Sequence, residues 1–392
     1  MRSVRKPPPK SILVRGVNWL GDAVMSTPAL LRLREAFPGV RITILTPAKL
    51  SDLWQHHPAV DAVISIDEGQ RAWAIARRLR EDAFDVAVIL PNSFRAALEV
   101  WLAGIPRRIG YRGQWRGRFL TEPVPCRPRS LETRKRTLRE IRHLTHSSPA
   151  VPSREASDSL HHIHQYLRLM SYLGANSEPL RPELKVTEEE VEDFLRRWRI
   201  ELPASRLLFG LNPGAEYGPA KRWPSENFAA AAIEIQKRTN CRWLIFGSQN
   251  DAALTAEITA RIEAARNPES GIQNPKSKIP SVLNLAGCTS LRGLCAGLKA
   301  CRVLLTNDSG PMHVAAALGT PVVALFGSTS PDLTGPGLPN DPNHRLLTAN
   351  VSCSPCFLRN CPIDFRCMKR IEVEQVVDAV VKRGTLAGEK GR

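Results

Sequence analysis

The segment RVLLTNDSGPMHVAAALGTPVVALFGSTSP, residues 302–331, contains a complete strand–helix–strand unit. An apolar run of strand length leads into NDSG (307–310), and the proline that follows stands where the first helical turn begins. Gly319 ends the helix before a second apolar run starts. Apolar strands connected through helices are typical of parallel sheets that are covered on both faces. This stretch therefore predicts a doubly wound α/β domain.

Short apolar runs alternate with helical periodicity along most of the chain. In the first half this predicts strands at 12–14, 41–45, 62–66 and 86–90, with helices ending near residue 36 and covering 49–56, 70–80 and 93–103. The sequence GANSEPLRPEL (174–184) is typical of a linker, and the alternation restarts after it, at 207–211. We therefore predict two similar domains at 1–180 and 181–370, a C-terminal helix and tail at 371–392, and an exposed loop at 267–281.

The composition is that of a soluble globular protein with its positive charge concentrated in the first half. The 392 residues are 43% hydrophobic and 24% charged, and the formal net charge is +17. The excess of Lys and Arg is densest between Arg107 and Arg142. Such a surface attracts nucleic acid, anionic lipid headgroups or a phosphorylated substrate, or it is simply a solvated face. Because no apolar run approaches a membrane span and no signal-peptide pattern is present, we expect a cytoplasmic protein.

Two loops that follow predicted strands carry groups suited to a nucleotide diphosphate. The helix start at 309–312 offers backbone N–H groups for phosphate, with no acidic residue after Asp308. The loop GLNPGAEYGPAKRWP (210–224) places Lys221 and Arg222 where a cation can stabilise the charge on a leaving phosphate. Taken singly, Asp308 is equally well explained as a helix N-cap, His313 as a buried core histidine, and the Lys-Arg pair as solvated.

A third loop, GVNWLGDAVMSTPAL (16–30), also follows a strand, but it contains the carboxylate of Asp22. A negative charge would repel phosphate, so the role of the Asp22 carboxylate in this turn stays open, with N-capping as one possibility. The sequence lacks the Gly-rich nucleotide motifs and the G-x-S-x-G motif. It also contains no D-x-D pair, so we expect no metal at a sugar nucleotide.

Three long motifs resemble the heptosyltransferase family of glycosyltransferases, family 9. They are RGVNWLGDAVMSTPAL (15–30), LNPGAEYGPAKRWP (211–224) and TNDSGPMHVAAALGTPVVALFGSTSP (306–331), and they occur in family order. The resemblance extends over roughly residues 10–383, through the matching alternation of strands and helices. It implies the GT-B architecture, in which two Rossmann-like domains face each other across a cleft. The N-terminal domain would bind the acceptor, and the C-terminal domain would bind the sugar nucleotide.

The resemblance also assigns roles to individual residues. Asp22 would be the general base that takes a proton from the acceptor hydroxyl, with inversion at the anomeric carbon, and Lys221 would contact the leaving diphosphate. The other residues that would bind the donor are Gly214, Ala215, Arg222, Asp251, Asp308, Ser309, Gly310, Met312 and His313. Those expected to bind the acceptor are Asn18, Arg112, Arg116 and Arg118. No cofactor is implied.

The substrates implied by the resemblance explain the charge distribution. The donor would be ADP-heptose, and the acceptor would be the inner-core saccharide of lipid A, an anionic glycolipid. We therefore expect a protein held peripherally at the inner face of the cytoplasmic membrane, without a nucleic-acid partner. Another donor sugar or acceptor glycan is the alternative within the family.

Four cysteines near the C-terminus depart from the general family pattern. Cys353, Cys356, Cys361 and Cys367 read C-x2-C-x4-C-x5-C, which lies within the spacing range of a structural zinc site. Reduced structural cysteines are the alternative, because cytoplasmic conditions disfavour permanent disulfides.

Two other classes of protein stay open at this point. A nucleic-acid-binding protein would use the basic segment and a zinc site, but it would leave Lys221 and the helix start at 309–312 without a role. A membrane-surface scaffold with an inactive transferase core would make Asp22 unnecessary. Release of ADP from ADP-heptose in the presence of an acceptor separates an enzyme from both.

Overall fold

The computed structural model of the chain describes residues 8–113, 115–125, 134–146, 160–201, 207–265 and 281–386. The chain divides into two compact units, each containing a six-stranded sheet. Unit 1 comprises Met1–Arg129 and His162–Lys185, and unit 2 comprises Ser130–His161 and Val186–Arg392.

Both sheets have the same topology, and the pairings between their described strands are parallel. The strands of unit 1 are β1 (Ser11–Arg15), β2 (Arg41–Pro47), β3 (Ala62–Ile66), β4 (Val86–Ile89), β5 (Arg107–Tyr111) and β6 (Glu122–Val124). Those of unit 2 are β7 (Leu208–Asn212), β8 (Arg242–Ile245), β9 (Val282–Asn284), β10 (Val303–Asn307), β11 (Val322–Phe326) and β12 (Arg345–Thr348). The orders are β3-β2-β1-β4-β5-β6 and β12-β11-β10-β7-β8-β9, so the chain direction across the sheet reverses between β1 and β4 and between β7 and β10. In doubly wound sheets, ligands bind at the carboxyl ends of the strands beside this switch point.

Helices connect the strands and cover the sheets. They are α1 (Leu20–Met25), α2 (Thr27–Ala36), α3 (Ala72–Glu81), α4 (Phe94–Leu102), α5 (Leu138–His146), α6 (Ile163–Ser171), α7 (Glu188–Arg197), α8 (Ser225–Thr239), α9 (Ala252–Ala264), α10 (Leu291–Ala300), α11 (Gly310–Ala317), α12 (Pro331–Thr334), α13 (Arg366–Lys369) and α14 (Val373–Leu386). The central strands are buried along their whole length because both faces of each sheet are covered, as the continuous apolar sequences of β4 and β11 require. The prediction of two doubly wound α/β units is therefore confirmed.

The unit boundaries differ from the predicted domains in two places. The chain passes from unit 1 to unit 2 for the last time between Lys185 and Val186, a few residues after the predicted domain boundary. Residues 134–146 belong to unit 2, because Ile141 of α5 packs in the core of that unit. The predicted C-terminal helix is present as α14, and it packs against α8 within unit 2. The predicted loop at 267–281 lies outside the described residues, apart from its last residue.

Some predicted elements also differ locally. The helix expected to run to about residue 36 is interrupted at Ser26, whose hydroxyl donates to the carbonyl of Ala23 at 2.7 Å, and Pro28 lies at the start of α2. The helix predicted at 49–56 is a 3-10 helix, Ala48–Trp54. Strands β5, β6, β9 and β12 were not predicted: β6 and β9 have only three residues each, and β5 and β12 begin with arginine. Arg107 of β5 pairs with Glu122 of β6 at 3.0 Å. No helix within the described residues combines the length and the apolar composition that a membrane crossing requires.

Candidate active site

Two buried asparagine side chains tie together the loops at the switch point of unit 2. Asn212 ends β7 and donates through Nδ2 to Ser309 Oγ at 3.1 Å. Asn307 ends β10, donates to the carbonyl of Pro213 at 2.7 Å, and accepts through Oδ1 from the backbone N–H of Trp223 at 3.1 Å. Both amides are buried, and hydrogen bonds are difficult to replace where water has no access. The loop that follows β7 is therefore held against the start of α11.

An ion pair between Lys221 and Asp308 lies beside this junction. Lys221 Nζ is 2.5 Å from Asp308 Oδ2, and the two side chains are 13% and 5% exposed. Thr329, in the loop after β11, donates its hydroxyl to the same carboxylate oxygen at 2.5 Å. The ammonium also lies 4.9 Å from the ring centroid of Tyr217. Because an ammonium carries three N–H donors, the pair holds the cation in place and still allows it to bind another anion.

The first turn of α11 is the second element of this site. The helix begins at Gly310, and its N-cap residue is Ser309, so the interpretation of Asp308 as the N-cap is wrong. The first N–H groups of a helix have no partner within the helix and can receive an anion. The side chain of Met312 is fully buried, so this residue can offer only its backbone. His313 is 5% exposed, which agrees with a core histidine.

Asp251 braces the loop that follows β7 from the side of β8. Its carboxylate accepts from the backbone N–H and the hydroxyl of Ser248, at 3.0 and 2.7 Å, and from Arg222 at 3.2 Å. A Cβ at Gly214 would lie 2.6 Å from this carboxylate, so the close approach requires glycine. Arg222 is also 3.4 Å from the carbonyl of Ala215. These contacts support a structural role for Asp251, and its contact with a ribose stays a prediction.

Asp22 lies in the first turn of α1, directly after the central strand β1 of unit 1. The N-cap residue of this helix is Trp19, so the N-cap interpretation of Asp22 is wrong. Tyr166 of α6 donates its hydroxyl to Asp22 Oδ1 at 3.1 Å, and His162 Nδ1 lies 3.9 Å from the same oxygen. Burial, and then the charge of Asp22, raise the pKa of Tyr166 well above its usual value. The phenol therefore stays protonated and acts as a donor to the carboxylate.

A buried ion pair supports the loop that precedes Asp22. Arg15 ends β1, and its Nε donates to Glu99 Oε2 of α4 at 2.9 Å. The same guanidinium donates to the carbonyl of Gly16 at 2.6 Å and lies 3.5 Å from Asn18 Oδ1. Asn18 is exposed, so its predicted contact with an acceptor is sterically open.

The three arginines predicted to bind the acceptor have different environments. Arg112 and Arg118 are exposed. Arg116 is 1% exposed and donates to the carbonyl of Pro91, and a Cβ at Gly110 would lie 2.7 Å from its guanidinium. The prediction that Arg116 forms part of an exposed basic surface is therefore wrong. The 3-10 turn Arg116–Phe119 folds this side chain against the carboxyl ends of β4 and β5 instead.

The comparison with protein families decides the class to which the chain belongs. The model of "Glycosyltransferase family 9 (heptosyltransferase)" matches residues 72–365, most of the chain. The chain belongs to glycosyltransferase family 9. The resemblance stated from the three motifs is therefore confirmed, and the chain is a glycosyltransferase with the two Rossmann-like units of the GT-B class.

Individual family 9 relatives cover most of this chain. Lipopolysaccharide heptosyltransferase 2 of Escherichia coli (strain K12) is 34% identical over 331 residues, which are 83% of this chain and 85% of the relative. The corresponding protein of Salmonella typhimurium is 34% identical over 335 residues, with the same coverage of 83% and 85%. The structure of E. coli ADP-heptose LPS heptosyltransferase II has a TM-score of 0.73 at 28% identity, covering 96% of this chain and 99% of that chain. A family 9 glycosyl transferase from Veillonella parvula has the same TM-score of 0.73 at 23% identity, covering 96% and 98%.

The four clustered cysteines lie beside a small cavity of unit 2. Cys353, Cys356 and Cys367 are buried, and all four cysteines are among the residues that line this cavity. Burial, followed by the neighbouring thiols, raises the pKa of Cys367 to about 12, so this thiol is protonated at neutral pH. In the described parts of the chain no three His, Cys, Asp or Glu side chains are placed to hold a metal ion, and the eight described cysteines are free. The zinc interpretation thus finds no support in this arrangement.

Several residues of these sites were not found from the family 9 motifs. Tyr166 is 144 residues from Asp22 in sequence, and nothing in its local pattern indicates that it contacts the carboxylate. Thr329 and Asn307 lie inside the motif 306–331, but only the folded loops show that they bind Asp308 and Trp223. For Tyr217 a signal existed, because an aromatic residue precedes Lys221 by four positions in the same loop.

Proposed function

We propose that this chain is an inverting glycosyltransferase that moves heptose from ADP-L-glycero-D-manno-heptose to the inner core of lipopolysaccharide. The observation that carries the proposal is the Lys221–Asp308 pair, with its 2.5 Å contact, beside the first turn of α11 at the switch point of unit 2. An oriented ammonium and a helix start are together complementary to a diphosphate. The similarity to relatives named lipopolysaccharide heptosyltransferase 2 supports heptose as the sugar and lipopolysaccharide as the acceptor.

Unit 2 binds the donor in this proposal. Backbone N–H groups of Ser309, Gly310 and Met312 contact the diphosphate, and the Lys221 ammonium contacts it from the neighbouring loop. As the bond between the anomeric carbon and the phosphate oxygen breaks, negative charge develops on ADP. A cation and a helix dipole that are already oriented stabilise this charge without reorganisation. Asp308 and Thr329 keep the ammonium in position.

Unit 1 activates the acceptor. Asp22 takes the proton of the acceptor hydroxyl while its oxygen forms the new bond to the anomeric carbon, on the side opposite to the leaving ADP. This single displacement inverts the anomeric configuration. Tyr166 holds Oδ1 of Asp22, so the carboxylate keeps one orientation. Asn18 and Arg112 lie at the same edge of the sheet as Asp22 and would contact the acceptor saccharide.

We also propose where the enzyme works and what it needs. Its acceptor is an anionic lipid A-core glycolipid, so the protein acts peripherally at the inner face of the cytoplasmic membrane. A formal net charge of +17 supports attraction to such a substrate. Because the sequence has no D-x-D pair to hold a metal on the diphosphate, transfer should persist in EDTA. A requirement for added divalent ions would contradict this last point.

The decisive experiment measures ADP release from ADP-heptose with a lipid A-core acceptor for the wild type and for Asp22→Asn. The loss of a general base lowers the rate by about 10² to 10⁴, whereas donor binding should remain nearly intact. Asp67→Asn is the matched control, because Asp67 is an exposed carboxylate elsewhere in unit 1. Near-normal turnover by Asp22→Asn would exclude the base assignment. Turnover of another sugar nucleotide in preference to ADP-heptose would exclude the proposed donor.

A further inference from the structure

Unit 1 carries exposed aromatic side chains that are in contact around a common centre. Phe94 and Trp101 of α4 are 43% and 44% exposed, and Trp115, in the loop after β5, is 79% exposed. The ring of Phe119 lies 5.1 Å from that of Phe94 and 5.3 Å from that of Trp101, measured between centroids. Trp115 immediately precedes the 3-10 turn that contains Phe119. Phe94 and Trp101 therefore meet at Phe119, and Trp115 adjoins the turn that carries this ring.

The charge around these rings is positive. The guanidinium of Arg118 lies over the ring of Trp115, 5.3 Å from its centroid. Between residues 92 and 122 the sequence has six arginines and two acidic residues, Glu99 and Glu122, although Arg116 is buried and Arg107 pairs with Glu122. Glu99 is fully buried and accepts from Arg15 and Arg95, so it adds no exposed negative charge. We call Phe94, Trp101, Trp115 and Arg118 the aromatic–basic patch.

Trp19 and Trp73 of unit 1 are also exposed, at 42% and 57%, but neither belongs to the patch. In unit 2, Trp223 and Trp243 are 1% and 0% exposed, because they fill the core. Contiguous exposed apolar surface on a soluble protein marks a site of interaction. Tryptophan rings surrounded by arginine are the composition found at the boundary between lipid and water, where the rings lie at headgroup level and the cations contact phosphate.

We propose that the aromatic–basic patch docks unit 1 on a surface of anionic phospholipid. This proposal names the face of unit 1 that contacts the membrane. It rests on the proposed function in one respect, because that function requires the enzyme to reach a lipid-anchored acceptor. The position fits that task. Helix α4 begins at the carboxyl end of β4, which pairs with β1, and the carboxyl end of β1 leads to Asp22. The docked face is thus next to the edge of the sheet where the acceptor would be activated.

Charge decides in favour of a lipid surface over a second copy of this chain. A two-fold symmetric dimer through the patch would place the same arginines of both copies against each other. An anionic bilayer instead neutralises them, with a contribution of about 1 kcal/mol for each basic residue near the surface, which is about fivefold in affinity. The aromatic rings add apolar burial that does not depend on salt.

Co-sedimentation of the full chain with vesicles tests the proposal. The probes are vesicles of phosphatidylcholine with phosphatidylglycerol and vesicles of phosphatidylcholine alone. We expect binding to the anionic vesicles, a loss of at least tenfold for Trp115→Ser, and a loss of about fivefold for Arg118→Ser together with a weaker dependence on salt. The matched controls are Trp198→Ser and Arg197→Ser in unit 2, where an arginine also lies over a tryptophan, at 5.9 Å. These controls should bind like the wild type.

A second measurement separates this proposal from the proposed function. With a soluble core saccharide that lacks acyl chains, Trp115→Ser should release ADP from ADP-heptose at the wild-type rate. With the acceptor embedded in anionic vesicles, Trp115→Ser should have a higher apparent KM for the acceptor than the wild type, while its KM for ADP-heptose stays constant. Equal vesicle binding by the wild type and Trp115→Ser would overturn docking through the patch. A wild-type dimer that Trp115→Ser converts to a monomer would overturn it in favour of a second copy. Vesicle binding without any heptose transfer would instead contradict the proposed function alone.

Discussion

The hydroxyl of Tyr166 offers the sharpest test of how Asp22 is held. Tyr166→Phe removes only the group that donates to Asp22 Oδ1 at 3.1 Å, and it leaves the ring that is buried in unit 1. A hydrogen bond to a charged group contributes about 1.5 to 3 kcal/mol. Because the Asp22 side chain is 30% exposed, the lower end of this range applies. About 1.4 kcal/mol corresponds to one pH unit in a proton equilibrium.

The direction in which the pH profile should move follows because the Tyr166 hydroxyl stabilises the ionised form of the Asp22 carboxylate. A donated hydrogen bond favours ionised Asp22, so its removal makes protonation easier, and the acid limb of kcat/KM should move to higher pH by about one unit. ADP release from ADP-heptose, measured between pH 4.5 and 9, gives this profile. Tyr172→Phe is the matched control, because Tyr172 lies at the end of the same helix with 43% exposure. An unmoved acid limb in Tyr166→Phe, or an equal movement in Tyr172→Phe, would refute the reasoning.

Two further predictions concern the donor site and the stability of unit 1. Lys221→Ala should weaken ADP-heptose binding and slow transfer by about tenfold or more, since the developing charge loses its cation. The control Lys237→Ala, at an exposed lysine of α8, should leave both unchanged. Unchanged donor affinity and rate in Lys221→Ala would show that Lys221 does not contact the donor. Burial, and then the charge of Lys185, lower the pKa of His57 from 6.5 to about 4, and its Nδ1 accepts from the N–H of Ala59 at 3.2 Å. The unfolded chain therefore binds this proton more readily than the folded chain, and the free energy of unfolding should fall as the pH drops from about 6.5 to 4, by up to about 3 kcal/mol. Urea unfolding across this range should show a flatter profile for His57→Asn, and an equally steep profile would contradict the assignment.

The sequence determined the architecture and pointed to the two residues at the centre of the proposed donor site. Apolar runs predicted the strand at 62–66 with the bounds that the structure shows. The doubly wound sheets follow because strands buried on both faces need continuous apolar sequence, which is a local property. Lys221 and Asp308 were selected from two separate loops for the same reason. Each loop follows such a strand, and the carboxyl ends of neighbouring parallel strands meet at one edge.

Only the tertiary structure decided which polar groups meet and which are buried. Arg116 stands in a run of arginines that suggests an exposed surface, yet its guanidinium is enclosed beside Gly110 and Pro91. Tyr166 reaches Asp22 because α6, far along the chain, returns to unit 1. Periodicity reports which face of an element is apolar and local spacing reports turns and caps, but neither encodes the distance between side chains that are more than a hundred residues apart. That distance depends on how the helices pack over the sheet, so it becomes defined only when the whole unit has folded.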